Sequence, residues 1–316
     1  MSPVLTIAGP TASGKSPVTL ELAVKIGGEI VNADSRQIYR FLNAGTSRPG
    51  AGERRKVPHH LYDFLDPKEI YSAGDYARDA SKAISGILSR KKKPIVVGGT
   101  GLYIRALFDG LSNMPQRDDS VREDLMSVVR QKGKKALHEM LAKADPVSAS
   151  KIPYQNVQRT LRALEVYRIT GKPLSQWHKE SPPVKTGLEP LLFGLGWAKD
   201  ALRKRIAERC EKILPGIIAE TESLLAMGYE ETAPGLQSLG YRHAALFLRK
   251  GISRAELLVR LTRDTLAYAK RQETWFKKDA RIRWIKVREP FDPSAAAEEI
   301  MRSVMPPDGR HPVMML

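Results

Sequence analysis

Runs of apolar residues alternate with stretches of helical spacing along the first hundred residues. The apolar runs predict short buried strands, and the stretches between them predict helices that cover the strands. The strands are predicted at residues 4–8, 29–33 and 95–97, and the helices at residues 18–26 and 74–90. This alternation favours an α/β domain built on a parallel sheet.

The pattern changes near residue 115, where helical spacing replaces strand signals, and changes back near residue 185. We therefore predict a core formed by residues 1–114 and 185–305, a mostly helical insertion with a basic face at 115–184, and a disordered tail at 306–316. The later elements are predicted as helices at 121–131, 135–142, 155–170, 199–227 and 253–278 and strands at 191–195 and 281–287.

The first predicted strand runs directly into Gly9-Pro10-Thr11-Ala12-Ser13-Gly14-Lys15-Ser16. This segment meets the spacing G-x-x-x-x-G-K-[ST] between a strand and a helix, and all eight residues are predicted to bind phosphate. Backbone N–H groups of such a loop point at one anion, the lysine adds a full positive charge, and the Ser16 hydroxyl can reach Mg²⁺. The loop does not indicate which phosphate compound it holds.

Two further features follow strands of the same sheet. Asp34 comes directly after the second strand, where it could bind magnesium, act as a general base or merely cap a helix. Gly98-Gly99-Thr100-Gly101 follows the third strand. Because ligands bind beyond the carboxyl ends of parallel strands, we expect Asp34 and Thr100 to lie near the phosphate loop.

The chain of 316 residues has a net charge of +17, from 52 basic and 35 acidic residues. Such an excess favours a nucleic-acid partner through phosphate neutralisation. The single cysteine, Cys210, fits a reducing cytoplasm, and no apolar run is long enough to span a membrane. The first strand begins so early that no signal peptide is expected.

Three segments are expected to have structural roles or none, and not to bind a ligand. Residues 45–56 are expected to form an exposed, mobile basic loop, and His59-His60 is not expected to bind a metal because no further ligand spacing accompanies it. Trp275 continues the apolar helical stripe of Leu257, Leu261 and Tyr268, so burial is favoured over stacking on a base.

Taken together, these segments resemble the tRNA dimethylallyltransferase (tRNA isopentenyltransferase) family. The phosphate loop alone is shared with many NTPases, whereas the ordered set is specific to the family. The matching segments, spread over most of the chain, are residues 9–16, 33–39, 45–49, 59–63, 98–103, 162–166, 239–242 and 270–276.

The resemblance implies a P-loop NTPase-like core with a helical insertion that grips the tRNA anticodon stem-loop. It also implies transfer of a dimethylallyl group from dimethylallyl diphosphate to N6 of an adenine beside the anticodon, with Mg²⁺ at Ser16, in a cytoplasmic monomer. The implied catalytic residues are Asp34 as the base, Lys15, Thr100 and, as a further diphosphate contact, Arg205. The implied tRNA-binding residues are Asp34, Ser35, Arg36, Gln37, Thr100, Arg122, Gln158, Arg159, Arg162, Arg242, Lys270, Arg271, Trp275 and Lys277.

The chain departs from the family pattern at Asn43, Arg48 and His243, where Asp, Lys and Gln are usual, and Pro17 follows the loop directly. Three alternative functions remain open at this point. The first is a P-loop kinase or NTPase that acts on or with RNA, and the second is a non-catalytic RNA-binding protein. The third is an adenylate isopentenyltransferase that modifies free nucleotides, against which the basic insertion argues.

Overall fold

The structure is a computed structural model that describes residues 3–304. The chain divides into two compact units: one joins the segment up to Phe108 with the segment from Thr186 onward, and the other runs from Asp109 to Lys185. The predicted tail at 306–316 lies outside the described residues. Within residues 3–304, no helix is both long and apolar enough to cross a membrane.

The first unit is built on a six-stranded sheet in which every pair of neighbouring strands is parallel. Its strands are β1 (Val4–Ala8), β2 (Gly28–Asn32), β3 (His59–His60), β4 (Lys93–Gly98), β5 (Pro190–Gly196) and β6 (Arg283–Lys286). Their order across the sheet is β3-β2-β4-β1-β5-β6. The predicted α/β class is confirmed, and the strand order reverses at β1, where such sheets form their ligand crevice.

Twelve helices lie in the described part of the chain. They are α1 (Lys15–Ile26), α2 (Ala51–Lys56), α3 (Ala73–Ser89), α4 (Gly101–Phe108), α5 (Asp119–Ala144), α6 (Pro146–Lys151), α7 (Val157–Thr170), α8 (Leu174–Glu180), α9 (Lys199–Ala226), α10 (Tyr241–Leu248), α11 (Arg254–Phe276) and α12 (Pro293–Ser303). Helices α2, α4, α6, α8 and α12 were not predicted from the sequence, and two of them, α2 and α8, show why. Neither buries a side chain, so neither carries the apolar stripe that reveals a helix.

Both faces of the sheet are covered by helices. Alternate residues of β1 point to opposite faces, so Leu5 and Ile7 pack with α1 and α12, whereas Val4 and Ala8 pack with α3 and α4. All residues of β1 and β2 are buried. Burial on both faces explains why β1 is apolar except at Thr6 and does not alternate with polar residues, whereas β2 also buries the polar residues Glu29 and Asn32.

Helix α11 carries a buried stripe that differs from the predicted one. Trp275 is 37% exposed, and Phe276 is buried in its place, so the prediction that Trp275 is buried is wrong. The stripe advances four residues at several consecutive steps and thereby moves past position 275. Its buried members are Leu257, Leu261, Thr265, Ala269, Gln272 and Phe276.

The segment 45–56 also differs from the prediction of an exposed loop. Its second half forms α2, and the Arg48 guanidinium lies against the Asp63 carboxylate with only 7% of the Arg48 side chain exposed. Arg54 Nε donates a hydrogen bond of 2.9 Å to the Pro49 carbonyl. The prediction of exposure holds for α2, which buries no side chain, and is wrong for Arg48. The partner of Arg48 lies 15 residues further along the chain and leaves no local sequence pattern.

The second unit is a helical cluster formed by α5 to α8. Helix α5 has two halves separated at Gly133, whose φ of 84° is not helical and suits a residue without a Cβ. The apolar core between the helices is rich in leucine. It contains Leu125, Leu137, Leu141, Leu161 and Leu164.

A buried carboxylate lies at the centre of the second unit. Glu165 is fully buried and accepts hydrogen bonds of 2.8 to 3.0 Å from Arg122 and Arg162, and one of 2.9 Å from the Asp118 backbone N–H. Burial alone raises the pKa of the Glu165 carboxyl, but these bonds outweigh it and hold the pKa below its usual value. The carboxylate therefore stabilises the unit at neutral pH.

We expect Glu165→Ala to destabilise the protein by about 2–4 kcal/mol, because it leaves two arginines without their buried partner. Urea unfolding followed by circular dichroism measures this loss. The exposed Glu139 in the same unit is the matched control, and Glu139→Ala should change stability by less than about 0.5 kcal/mol.

The difference between the wild type and Glu165→Ala should shrink as the pH falls. The folded-state pKa of Glu165 is depressed, so its contribution is present above the unfolded pKa and is lost as the pH falls through the folded one. If Glu165→Ala and Glu139→Ala lose the same amount of stability at pH 7, the buried carboxylate does not have this role.

Candidate active site

The predicted phosphate loop lies at the carboxyl end of β1 and opens α1. Gly14 immediately precedes α1 with a φ of 88°, which favours glycine, and the Lys15 ammonium donates a hydrogen bond of 2.7 Å to the Pro10 carbonyl. Burial lowers the pKa of Lys15 to about 8, with nearby Arg209 adding to the effect and Asp34 opposing it. Lys15 is therefore mostly protonated at pH 7 and poised to lose its proton just above pH 8.

Two hydroxyl groups of the loop have no protein partner. The Ser13 hydroxyl is buried and makes no hydrogen bond within the described structure, although Trp197 Nε1 bonds the Ser13 carbonyl at 2.9 Å. The Ser16 hydroxyl is likewise unpaired among the described residues. A buried hydroxyl without a partner costs free energy, which a ligand with acceptor oxygens would recover.

Asp34 lies at the end of β2, two strands from the loop. Its Oδ1 accepts a hydrogen bond of 2.9 Å from the Arg36 backbone N–H. The Asn32 side chain accepts from the Asp34 backbone N–H at 2.9 Å and donates to the Asp34 carbonyl at 3.0 Å. This is a local turn and not a helix cap, since no helix follows. The second carboxylate oxygen has no hydrogen-bond partner in the described part of the chain and can accept a proton.

Thr100 ties the end of β4 to the end of β2. Its hydroxyl oxygen accepts a hydrogen bond of 2.9 Å from the Ser35 backbone N–H, and the Thr100 N–H donates one of 3.1 Å to the Ala33 carbonyl. Gly98 packs so closely on Ala33 that no side chain would fit there. The structure therefore brings Lys15, Asp34 and Thr100 to one edge of the sheet, as expected.

Arg205 lies beside the phosphate loop, where other protein groups hold its side chain. Its guanidinium lies 4.3 Å from the centre of the Trp197 ring and 5.0 Å from that of Phe291, and its Nε donates to the Ala12 carbonyl at 3.2 Å. Its NH1 also pairs with Glu289 at 2.9 Å. These contacts brace the backbone of the loop, and direct contact with a diphosphate remains only a prediction.

Arg209, one helical turn further along α9, was not predicted from the sequence. Its NH1 donates to the Thr11 hydroxyl at 2.9 Å and its Nε to the Ser47 hydroxyl at 3.0 Å. Burial lowers the pKa of Arg209, while the nearby Asp34 acts in the opposite direction. The only sequence signal for Arg209 is its spacing of four residues from Arg205, which puts both on one face of the helix.

Apart from Asp34, Ser35 and Thr100 at the sheet edge, the predicted tRNA-binding residues differ in how firmly other protein groups hold them. Some are held by other protein groups: Gln37 bonds the Thr46 and Ser47 carbonyls, Arg36 bonds the Pro234 carbonyl, Arg242 pairs with Asp264, Lys277 pairs with Glu273, and Arg122 and Arg162 pair with Glu165. Gln158 and Arg159 on α7 and Lys270, Arg271 and Trp275 on α11 have exposed side chains. Arg242 and Lys277 are exposed as well, at 48% and 65%, although each pairs with an acid. These exposed side chains can meet a nucleic acid.

Two of the departures from the family pattern contact each other. The Arg48 guanidinium donates a hydrogen bond to the Asn43 side-chain oxygen. His243 is buried beside Asp264, with Nε2 at 3.6 Å from the carboxylate, and burial lowers its pKa. Pro17 lies in the first turn of α1, where its missing N–H has no helical acceptor.

His59 and His60 serve structural roles. The ring of His60 bonds the buried Glu29 carboxylate at 2.7 Å, and that of His59 bonds the Val57 carbonyl at 2.9 Å. Throughout residues 3–304, no cluster of three or more histidine, cysteine or acidic side chains is arranged to hold a metal ion.

A parallel sheet with helices on both faces and a glycine-lysine loop after its central strand defines a P-loop NTPase-like fold. A family model described as IPP transferase matches residues 37–279. The chain belongs to this family, as predicted.

Curated relatives are similar over nearly their whole length. The tRNA dimethylallyltransferase of Geobacter metallireducens is 42% identical over 290 residues, which cover 92% of this chain and 94% of the relative. That of Desulforudis audaxviator is 40% identical over 303 residues, with coverage of 96% and 97%.

Two solved structures of similar proteins lead to the same family. The full-length tRNA isopentenylpyrophosphate transferase of Bacillus halodurans is 32% identical with a TM-score of 0.68, covering 95% of this chain and 96% of that one. A eukaryotic dimethylallyltransferase, described as acting on tRNA, is 26% identical with a TM-score of 0.78, covering 96% of this chain and 78% of that one.

We expect the affinity for pyrophosphate, measured by calorimetry without metal, to report the charge on Lys15. The ratio of wild-type to Lys15→Met affinity isolates this lysine from the titration of pyrophosphate itself. Because the pKa of Lys15 is about 8 and only the charged form attracts the anion, the ratio should be constant near pH 7 and fall about tenfold per pH unit well above pH 8.

Lys25, at the far end of α1 and paired with Glu298, is the matched control. Lys25→Met should bind pyrophosphate as the wild type does at every pH. A wild-type to Lys15→Met ratio that stays constant to pH 9.5 contradicts the assigned role.

Proposed function

We propose that this protein transfers a dimethylallyl group from dimethylallyl diphosphate to N6 of adenosine 37, next to the tRNA anticodon. Family membership and about 40% identity to curated enzymes make the chain a transferase that moves a dimethylallyl group to tRNA. The donor, the position on the tRNA and the residue roles are the parts we propose. The observation that supports them most is the meeting of the phosphate loop, Asp34 and Thr100 at one sheet edge.

The diphosphate is assigned to the loop between Gly9 and Ser16. Three features suit an anion there: the charged Lys15, the N-terminus of α1 and the unpartnered buried hydroxyl of Ser13. Arg209 adds a second cation at Thr11. As the bond between carbon and oxygen breaks, charge builds on the departing diphosphate, and fixed cations stabilise that charge most.

Asp34 is assigned as the general base. The N6 lone pair of adenine is delocalised into its ring and attacks poorly unless a proton leaves as the new bond forms. In the proposed step, N6 bonds to C1 of the dimethylallyl group, and the electron pair of the broken C–O bond goes to the diphosphate. The N6 proton then goes to the free oxygen of the Asp34 carboxylate.

Thr100 is assigned to positioning at the reacting centre. Its hydroxyl oxygen accepts from Ser35, the residue after Asp34, so the Thr100 turn and the base are held as one unit. The Thr100 hydroxyl in turn donates to the Ser35 hydroxyl at 3.2 Å, so both of these hydrogen bonds hold the segment that carries Asp34. Correct placement of reacting groups contributes a large part of many catalysed rates.

Magnesium is compatible with the residues present. The unpaired Ser16 hydroxyl at the loop offers one protein oxygen, and a bound diphosphate offers several more, which matches the few protein ligands that Mg²⁺ usually takes at phosphates. When bound, the ion would neutralise part of the diphosphate charge. The role of Mg²⁺ remains a proposal.

The tRNA is assigned to the exposed basic residues, including Arg159 on α7 and Lys270 and Arg271 on α11. The net charge of +17 supports contact with the phosphates of an anticodon stem-loop. The target adenine must leave its stack to reach Asp34, as in other enzymes that modify a base. A cytoplasmic monomer remains a prediction.

The proposal predicts that Asp34→Asn lowers the single-turnover rate of dimethylallyl transfer by at least about 100-fold, because the N6 proton loses its acceptor. The assay uses labelled dimethylallyl diphosphate and an anticodon hairpin, with the modified base mapped. Affinity for the hairpin should stay within about twofold of the wild type, because the side chain keeps its shape and the Arg36 bond.

Asp200, a nearly fully exposed acid in the first turn of α9, provides the control, and Asp200→Asn should transfer at the wild-type rate. Two results count against the proposal: transfer that survives in Asp34→Asn, or wild-type transfer to AMP in preference to the hairpin. RNA-stimulated release of phosphate from ATP would favour the NTPase alternative instead.

A further inference from the structure

Gln272 is a polar residue in the buried stripe of α11. It is 5% exposed and lies among positions that pack against the core of the first unit. Burial of an amide costs free energy unless its donor and acceptor are satisfied, so an aliphatic residue at this position would favour stability more simply. The polar atoms of Gln272 therefore point to a role beyond packing.

Both ends of the Gln272 amide bond to backbone groups of the candidate site. Oε1 accepts a hydrogen bond of 2.9 Å from the Thr11 N–H in the phosphate loop, and Nε2 donates one of 2.8 Å to the Gly99 carbonyl beyond β4. A backbone N–H only donates and a carbonyl only accepts. The amide orientation is therefore determined by its partners.

The Gln272 amide fits closely between the phosphate loop and the turn at Gly99. A Cβ added at Gly99 would collide with Gln272 Nε2 and would lie 3.4 Å from the Gly9 carbonyl oxygen. The phosphate loop and the Gly99 turn are thus held one amide width apart. A residue other than glycine at 99, or a shorter side chain at 272, would change that spacing.

Neighbouring residues of α11 hold the same turn. Tyr268, one turn before Gln272, has its side chain at the Thr100 hydroxyl, and the Trp275 ring packs on Gly101 so tightly that no side chain would fit there. One face of α11 thus contacts three consecutive residues after β4. Of the three α11 residues, Gln272 is the one that also bonds the phosphate loop.

We propose that Gln272 is a positioning residue that sets the distance between the diphosphate loop and the edge formed by Thr100 and Asp34. This inference rests on the proposed function, because the loop then holds the leaving group while the edge holds the nucleophile. Small misplacements of reacting groups cost large factors in rate without loss of binding. Gln272 therefore acts on the chemical step, through the backbone, and does not touch the substrate.

The test compares single-turnover transfer rates, hairpin affinity and pyrophosphate affinity for three variants. Gln272→Met keeps the length and volume but neither hydrogen bond, and its rate should fall about 10- to 100-fold while both affinities stay within about threefold. Gln272→Asn keeps the amide but is one methylene too short to reach both partners. The transfer rate of Gln272→Asn should therefore fall as much as that of Gln272→Met.

Thr265→Val is the matched control. Thr265 is buried in the same stripe, but its hydroxyl bonds only the Leu261 carbonyl of its own helix at 2.7 Å. This variant should retain the wild-type rate even where its melting temperature falls. A purely structural role of Gln272 predicts instead that rate and folded fraction change together in all variants.

Backbone hydrogen exchange at Thr11 measures the bridge apart from the reaction. The Thr11 amide should be protected in the wild type and exchange at least tenfold faster in Gln272→Met or Gln272→Asn. Transfer at the wild-type rate in both variants, or a Thr11 amide that is unprotected in the wild type, overturns the inference. Absence of transfer in the wild type overturns the proposed function instead, and the exchange measurement then decides whether the bridge exists.

Discussion

The proposed reaction depends on one geometric constraint, which is the close approach of the carboxyl ends of β1, β2 and β4. Gly98 packs on Ala33, and Gly99 lies against both the Gly9 carbonyl and the Gln272 amide. A side chain at either glycine would force the strand ends apart. Because these positions are empty of side-chain atoms, the loop with Lys15 and the edge with Asp34 and Thr100 form a single site.

The charges at this site are unbalanced in a way that suits a departing diphosphate. Lys15 and Arg209 are cations whose pKa values burial lowers, and Asp34 is the acid whose charge opposes that effect at both. The unpartnered Ser13 hydroxyl adds a donor inside the loop. The loop is therefore prepared for an anion, while the opposing carboxylate remains available for a proton.

The sequence predicted the parts of the fold and site that local pattern determines. The phosphate loop needs only its own spacing, and Asp34 and Thr100 follow from the rule that parallel strands end at one edge. Arg209 was missed because Arg205 lies on the same helical face, and only the packing of α9 decides which one reaches Thr11. Gln272 was hidden because its role depends on partners far away in the chain.

In the proposed reaction, the loop holds a leaving group and carbon is transferred. Dimethylallyl diphosphate labelled with ¹⁸O at the oxygen that bridges carbon and phosphorus tests this directly, with both products analysed by mass spectrometry. If carbon is transferred, all of the label leaves with the diphosphate, and none enters the modified tRNA or free dimethylallyl alcohol. Label recovered in the alcohol, with phosphate on the acceptor, would mean that the bond to phosphorus breaks and would contradict the transfer of carbon.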